Sequence, residues 1–163
     1  MRKQIILLTA SVLLFSSVNA IYAQQNGGQT EGKSVSQQIV TPDRSLKKEA
    51  EEFTNSCDIP DSLYNYAIRL YNQALELKEK AEDANSDSVY QAYFKQYYEV
   101  LEASVIPFEK AFNLLYRDKS TRLEVSEYLR NVCYELYRSG AVSNASFYKE
   151  RFEKYSEYYT MNS

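Results

Sequence analysis

The sequence predicts an all-α protein built from antiparallel helical hairpins. Three observations carry that prediction. From residue 41 onward, apolar side chains recur at three- and four-residue spacing over long stretches, as in helices that bury one face. The same stretch holds one glycine, Gly140, and three prolines, Pro42, Pro60 and Pro107, so little interrupts long helices. No segment alternates apolar and polar residues long enough to make a strand. The run VYQAYF at 89–94 has strand-like residues, but Tyr97, Leu101 and Val105 extend it at the helical period.

The first 40 residues read differently. Arg2 and Lys3 precede an apolar run at 5–18, and small residues follow up to Ala20 and Ala23. This is the layout of a secretory signal peptide, with cleavage expected after Ala23 or, alternatively, Ala20. The run has 14 residues, short of the roughly 20 that span a bilayer. A soluble periplasmic or secreted product is expected, with no stable membrane anchor after cleavage. Residues 24–40 hold three of the four glycines and only three aliphatic side chains. Too little apolar surface is available there to offset ordering entropy, which predicts a disordered tether. The helical domain is expected at 41–163.

Five helices are expected, each with start and stop signals. The first runs 43–55, with Thr41 as cap, Pro42 at the first helical position, and Leu46, Ala50 and Phe53 as its apolar anchors. The second runs 61–84, capped by Asp61 or Ser62. Its stripe is Leu63, Tyr66, Ala67, Leu70, Ala74, Leu77 and Ala81, and Glu76 and Lys80 form an exposed i,i+4 pair. The third runs 87–116, and Pro107 predicts a kink or a division into two helices. The fourth runs 121–139. Thr121 and Glu124 match a capping box, Val125, Leu129, Val132, Cys133 and Leu136 form its stripe, and Gly140 ends it. The fifth runs 143–159 with Ala145, Tyr148, Phe152, Tyr155 and Tyr159 inward.

An internal repeat is legible. Tyr66-Ala67-Leu70 and Val132-Cys133-Leu136 place large, small and large residues at the same spacing, 66 residues apart. The small residue admits a neighbouring helix and the large ones fill the groove beside it. YNYAIRLYNQALELKEKA at 64–81 and SVIPFEKAFNLL at 104–115, the latter with Ser104, Phe108 and Ala111, look like the two helices of one unit. LRNVCYELYRSG at 129–140 and SNASFYKERFEKY at 143–155 look like the next pair. On these motifs the chain resembles tetratricopeptide-repeat (TPR) proteins of a divergent, exported type, over 61–159. The resemblance implies a two-repeat array, with units at 61–116 and 121–159 and an extended first hairpin. It also implies a protein-binding role. Ala67 and Cys133 stand where the family commonly has glycine, and Tyr116 where a helix-ending proline is common.

Composition excludes several chemistries. The chain has no histidine, which removes Ser-His-Asp and Cys-His catalysis and histidine-ligated zinc. Two of the 19 basic residues and none of the 22 acidic ones lie in the leader, so the mature charge is 17 against 22, or −5. No nucleic-acid partner is expected from that balance. Cys57 and Cys133 are too few for a metal cluster. In an oxidising compartment they could form a disulfide, or they are two small buried hydrophobes. The acidic groups Glu49, Glu51, Glu52 and Glu150, Glu153, Glu157 are interleaved with Lys47, Lys48, Lys149, Arg151 and Lys154, the pattern of solvated helix faces.

Tyrosine is the unusual residue: 15 of 16 lie between Tyr64 and Tyr159. Tyr66, Tyr93, Tyr97 and Tyr148 fall on the apolar stripes and are expected in the core. Tyr71, Tyr98, Tyr128, Tyr134 and Tyr137 fall off them and are the candidate partner-binding residues. No cofactor, metal site or enzymatic activity is expected. The sequence reads as a helical scaffold for a protein or peptide, the alternative being a glycan- or cell-wall-binding module that uses the surface tyrosines.

Overall fold

The computed structural model describes residues 45–163. The expected signal peptide, tether, Thr41 cap and Pro42 lie outside the described residues. Among those described there are five helices and no strand: α1 (Leu46–Ser56), α2 (Pro60–Glu82), α3 (Asp87–Leu114), α4 (Lys119–Ser139) and α5 (Ala145–Asn162).

Helix starts depart from expectation by at most three residues: α1 begins at Leu46 with Ser45, not Thr41, as its N-cap, and α3 begins at the expected Asp87. Pro60 takes the first helical position of α2, and its N-cap is Ile59; Asp61 lies in the first turn. Pro60 has no N–H to leave unpaired, and its fixed φ already suits a helix. The cap of α4 is Asp118, not Thr121. Asp118 Oδ1 accepts from the Thr121 amide at 3.1 Å, and Oδ2 accepts from the Thr121 hydroxyl at 2.6 Å. Those two bonds hold the Asp118 carboxyl below its ordinary range. Glu124, the supposed partner of the capping box, instead accepts from the Tyr64 hydroxyl at 2.6 Å. Asn144 caps α5. Gly140 ends α4 at φ 64°, in the left-handed conformation expected of it. Among the described residues the i,i+4 ion pairs are Lys95–Glu99 and Lys149–Glu153, and the expected Glu76–Lys80 pair is not formed.

α3 passes through Pro107 as one helix. A proline there removes a backbone hydrogen bond and costs roughly 3 kcal/mol. Burial on both sides of it offsets the loss. Leu101, Ser104, Val105, Pro107, Phe108, Ala111 and Phe112 are all buried, and Phe108 is fully so. A buried leucine- or phenylalanine-sized side chain contributes about 1.5–3 kcal/mol.

Contacts across the helices fix their directions. α2 and α3 form one antiparallel hairpin: Tyr64 meets Phe108 near one end and Lys78 meets Tyr97 near the other. α4 and α5 form a second, with Tyr134 on Phe152 and Arg130 on Tyr159. α3 joins the hairpins by packing antiparallel on α4, where Phe108 stacks on Tyr128 and Phe112 faces Arg122. The polar bonds run parallel. Lys47 and the Thr54 carbonyl of α1 meet Glu102 and Lys110 of α3. Tyr148 and Tyr155 of α5 meet Glu102 and Glu109. Thus α1 and α5 run alongside α3 in its own direction, and α2 and α4 run opposite to it. The core is continuous, from Ala50 and Leu63 through Leu101 and Phe108 to Leu129, Leu136 and Tyr155.

Candidate functional site

α2, α3 and α4 leave a groove of about 280 Å³ between the two hairpins. Tyr71, Leu75 and Lys78 come from α2, Tyr97 and Leu101 from α3, and Asn131, Val132, Tyr134 and Glu135 from α4. Its floor follows from helix periodicity. Leu101 and Val132 sit on the buried stripes, and their neighbours one position off the stripe turn up into the opening.

The tyrosines form the walls. The Tyr71 ring meets Tyr128 edge-on at 5.3 Å, and Tyr128 stacks on Phe108 at 5.4 Å. Tyr97 packs on Tyr98 at 4.8 Å, with Phe94 behind both. Tyr134 rests on Phe152 and accepts a hydrogen bond from Arg138 Nη1 at 2.8 Å. Burial pushes the Tyr97, Tyr71 and Tyr98 hydroxyls above their ordinary range, and the Glu135 carboxylate pushes each further in the same direction. Glu135 is therefore electrostatically close to three rings. Glu135 is the acidic residue of the groove, and the raised phenols of Tyr71, Tyr97 and Tyr98 stay neutral at physiological pH.

The five off-stripe tyrosines divide. Tyr71 and Tyr134 line the groove, and Tyr98 and Tyr128 are half-buried supports behind its walls. Tyr137 is exposed and does not line it. Of the four assigned to the core, Tyr97 and Tyr148 are buried, while Tyr66 and Tyr93 are only partly covered. The reason is position. Tyr93 lies in the first two turns of α3, and Tyr66 packs beneath Phe53 of α1, the shortest helix.

A second, smaller hollow of about 210 Å³ lies over α3 between α1 and α5, with Val105, Ile106, Phe147 and Tyr148 among its lining. Two of its carboxylates, Glu102 and Glu109, are matched by donors. Glu102 Oε1 accepts from both Lys47 and Tyr148, and Glu109 Oε1 lies 2.9 Å from Arg151 Nε and accepts from Tyr155. Neither these carboxylates nor Lys78, Asn131 and Glu135 stood out in the sequence. Glu102 and Glu109 could have been found: they interrupt the most apolar stretch of α3 seven residues apart, on the same face. The acidic groups that did stand out, Glu49, Glu51, Glu52, Glu150, Glu153 and Glu157, are exposed.

Cys57 and Cys133 are unbridged. Cys133 is fully buried and faces Glu109 and Arg151, whereas the half-buried Cys57 turns its thiol to the Ile59 carbonyl at 3.8 Å. The disulfide alternative is not realised; Cys133 is a small buried residue of the core. Among the described residues no cluster of three or more histidine, cysteine, aspartate or glutamate side chains could hold a metal ion. No helix among them is long and apolar enough to cross a membrane.

Fold and groove together define an all-α protein of packed antiparallel hairpins with a tyrosine-lined crease. No family model matches the chain, and no curated protein or solved structure matches it.

Proposed function

We propose that this chain is an exported helical scaffold that binds a protein or peptide partner in the cell envelope, with the groove between the hairpins as its contact surface. The observation that carries the reading is the groove's composition. Leu75 and Leu101 offer apolar contact, Tyr71 and Tyr134 offer flat rings with polar tips, and Asn131, Lys78 and Glu135 offer orienting groups. Such a mixture suits an extended or helical segment laid between helices. Two further features support it. The parallel alignment of α2 with α4 and of α3 with α5 is the arrangement expected of stacked TPR-like units. The leader at 1–23 supports export. A glycan platform calls for coplanar exposed rings, whereas this groove mixes rings with aliphatic and charged groups from three helices, so the peptide reading is preferred.

The test is capture from envelope extract with the mature chain, compared across single variants. Tyr71→Ala and Tyr134→Ala are expected to lose a partner that the parent chain and Tyr137→Ala both retain. Circular dichroism confirms that each variant is folded. Capture unchanged in both groove variants would remove the groove as the binding surface.

A further inference from the structure

We infer that the groove receives a cationic side chain from a basic peptide segment, and that Lys78 is the placeholder such a side chain displaces. This rests on the peptide-binding reading above and adds the partner's charge.

The groove already accommodates one cation from its own chain. The Lys78 ammonium lies 5.9 Å from the centre of the Tyr97 ring, inside the opening. At the other wall the Arg138 guanidinium lies 5.4 Å from the centre of Tyr134 and bonds its hydroxyl. Aromatic faces attract cations through the ring quadrupole, more strongly as water is excluded. Glu135 lines the same groove. Its charge acts on Tyr71, Tyr97, Tyr98 and Arg138, and among the described residues it has no ion-pair partner.

The surface beyond the groove carries the same sign. A shallow depression adjoins it along α2, lined by Leu75, Glu76, Lys78, Glu79 and Glu82, so Leu75 and Lys78 belong to both. Together the two linings hold Glu76, Glu79, Glu82 and Glu135 against Lys78 alone. Arg138 and Lys80 stand nearby and reduce this excess without reversing it. The mature chain is also acidic overall. An acidic segment approaching Lys78 meets four carboxylates, whereas a basic one is drawn along them.

Lysine is suited to the placeholder role. Its ammonium is a point charge on a flexible stem, and it gives up a ring face readily. An arginine of the partner stacks its planar guanidinium on the same ring and forks onto the Glu135 carboxylate. The displaced Lys78 swings to Glu82, one turn along its own helix.

The test selects a displayed library of random peptides on the mature chain. The enriched sequences are then made as fluorescein-labelled peptides and titrated by anisotropy. Enriched peptides are expected to carry lysine or arginine. Glu135→Gln is expected to weaken them about tenfold, the loss of one charged hydrogen bond. Lys78→Met keeps the apolar stem and removes the competitor, so it should tighten binding several-fold. Added salt should weaken all of them. Neutral or acidic peptides that depend on Tyr71 or Tyr134, or weaker binding in Lys78→Met, overturn the basic partner and leave peptide binding standing. If no enriched peptide loses affinity in Tyr71→Ala or in the exposed-site variant Tyr134→Ala, both readings fall.

Discussion

Tyr155 donates its hydroxyl to Glu109 at 2.8 Å, across the interface between α5 and α3. One heptad earlier Tyr148 donates to Glu102 at the same distance. The equal offset of both bonds sets the register of the second hairpin on the first. A slip by one residue would part Tyr148 and Tyr155 from these acceptors, and Glu102 would keep only Lys47 of α1. Tyr155→Phe keeps the fully buried ring and removes only the bond. A loss of about 1–3 kcal/mol in urea unfolding is expected, because Glu109 keeps Arg151 as a partner. Tyr155→Ala also opens a cavity and should lose about 3–5 kcal/mol. Equal losses in the two variants would mean that the ring contributes nothing beyond its hydroxyl.

The Cys133 thiol is pushed up to about 12 by burial, with Glu109 adding to the effect and Arg151 opposing it. Only the thiolate attacks alkylating reagents. In native, mildly alkaline buffer, iodoacetamide should label the chain once, at the partly exposed Cys57. The second label should appear only in denaturant. Mass spectrometry reads the count, and two labels on the folded chain would contradict the buried position of Cys133.

Burial raises the hydroxyls of Tyr64, Tyr97, Tyr148 and Tyr155 above their ordinary 10.0, and the carboxylates Glu124, Glu135, Glu102 and Glu109 raise them further. The unfolded chain therefore gives up these protons at lower pH than the folded one. Their contribution is fully present below pH 10.0 and is lost as pH rises above it. Helicity by circular dichroism should hold to about pH 10 and then fall, and tyrosinate absorbance from these buried rings should rise with that fall. Complete tyrosinate formation with helicity intact would place the rings at the surface.

Gly140 sits at φ 64° with open space where a side chain would project. Gly140→Ala thus meets no neighbour, and its penalty is backbone strain alone, about 1–2 kcal/mol. Gly140→Asn should recover much of it, since asparagine tolerates the left-handed region. Urea midpoints of the two variants measure the difference. An alanine variant as stable as the parent would show that the turn relaxes.

Much of the fold was legible in the sequence because helix formation is local. Leu63, Ala67, Leu70, Ala74, Leu77 and Ala81 recur at the spacing of one helix face, and all six are buried. The same holds for Val125, Leu129, Val132, Cys133 and Leu136. Gly140 marked its helix end for an equally local reason. The misreadings came where two local signals competed. Thr121 and Asp118 both suit a cap; Asp118 takes the position, and Glu124 bonds Tyr64 instead of closing a capping box. Pro107 reads as a breaker until the burial on either side of it is known.

Tyr71 and Tyr134 were singled out as off-stripe residues, but nothing in their spacing says that they face one another across a groove. Tyr137 satisfied the same criterion and lies outside it. Glu135, Lys78 and Asn131 carried no signal at all, since exposed charged and amide residues populate every helix surface. By itself the sequence determined which residues coil into helices, which face each helix buries, and where α4 must stop, because backbone sterics and side-chain periodicity act within a few residues. Only the tertiary structure decided which faces meet, that Glu102 and Glu109 find tyrosine donors 46 residues away, and that Tyr71, Tyr97 and Tyr134 line one groove with Glu135. Those are contacts between helices, set by how whole faces pack, and no local pattern encodes them.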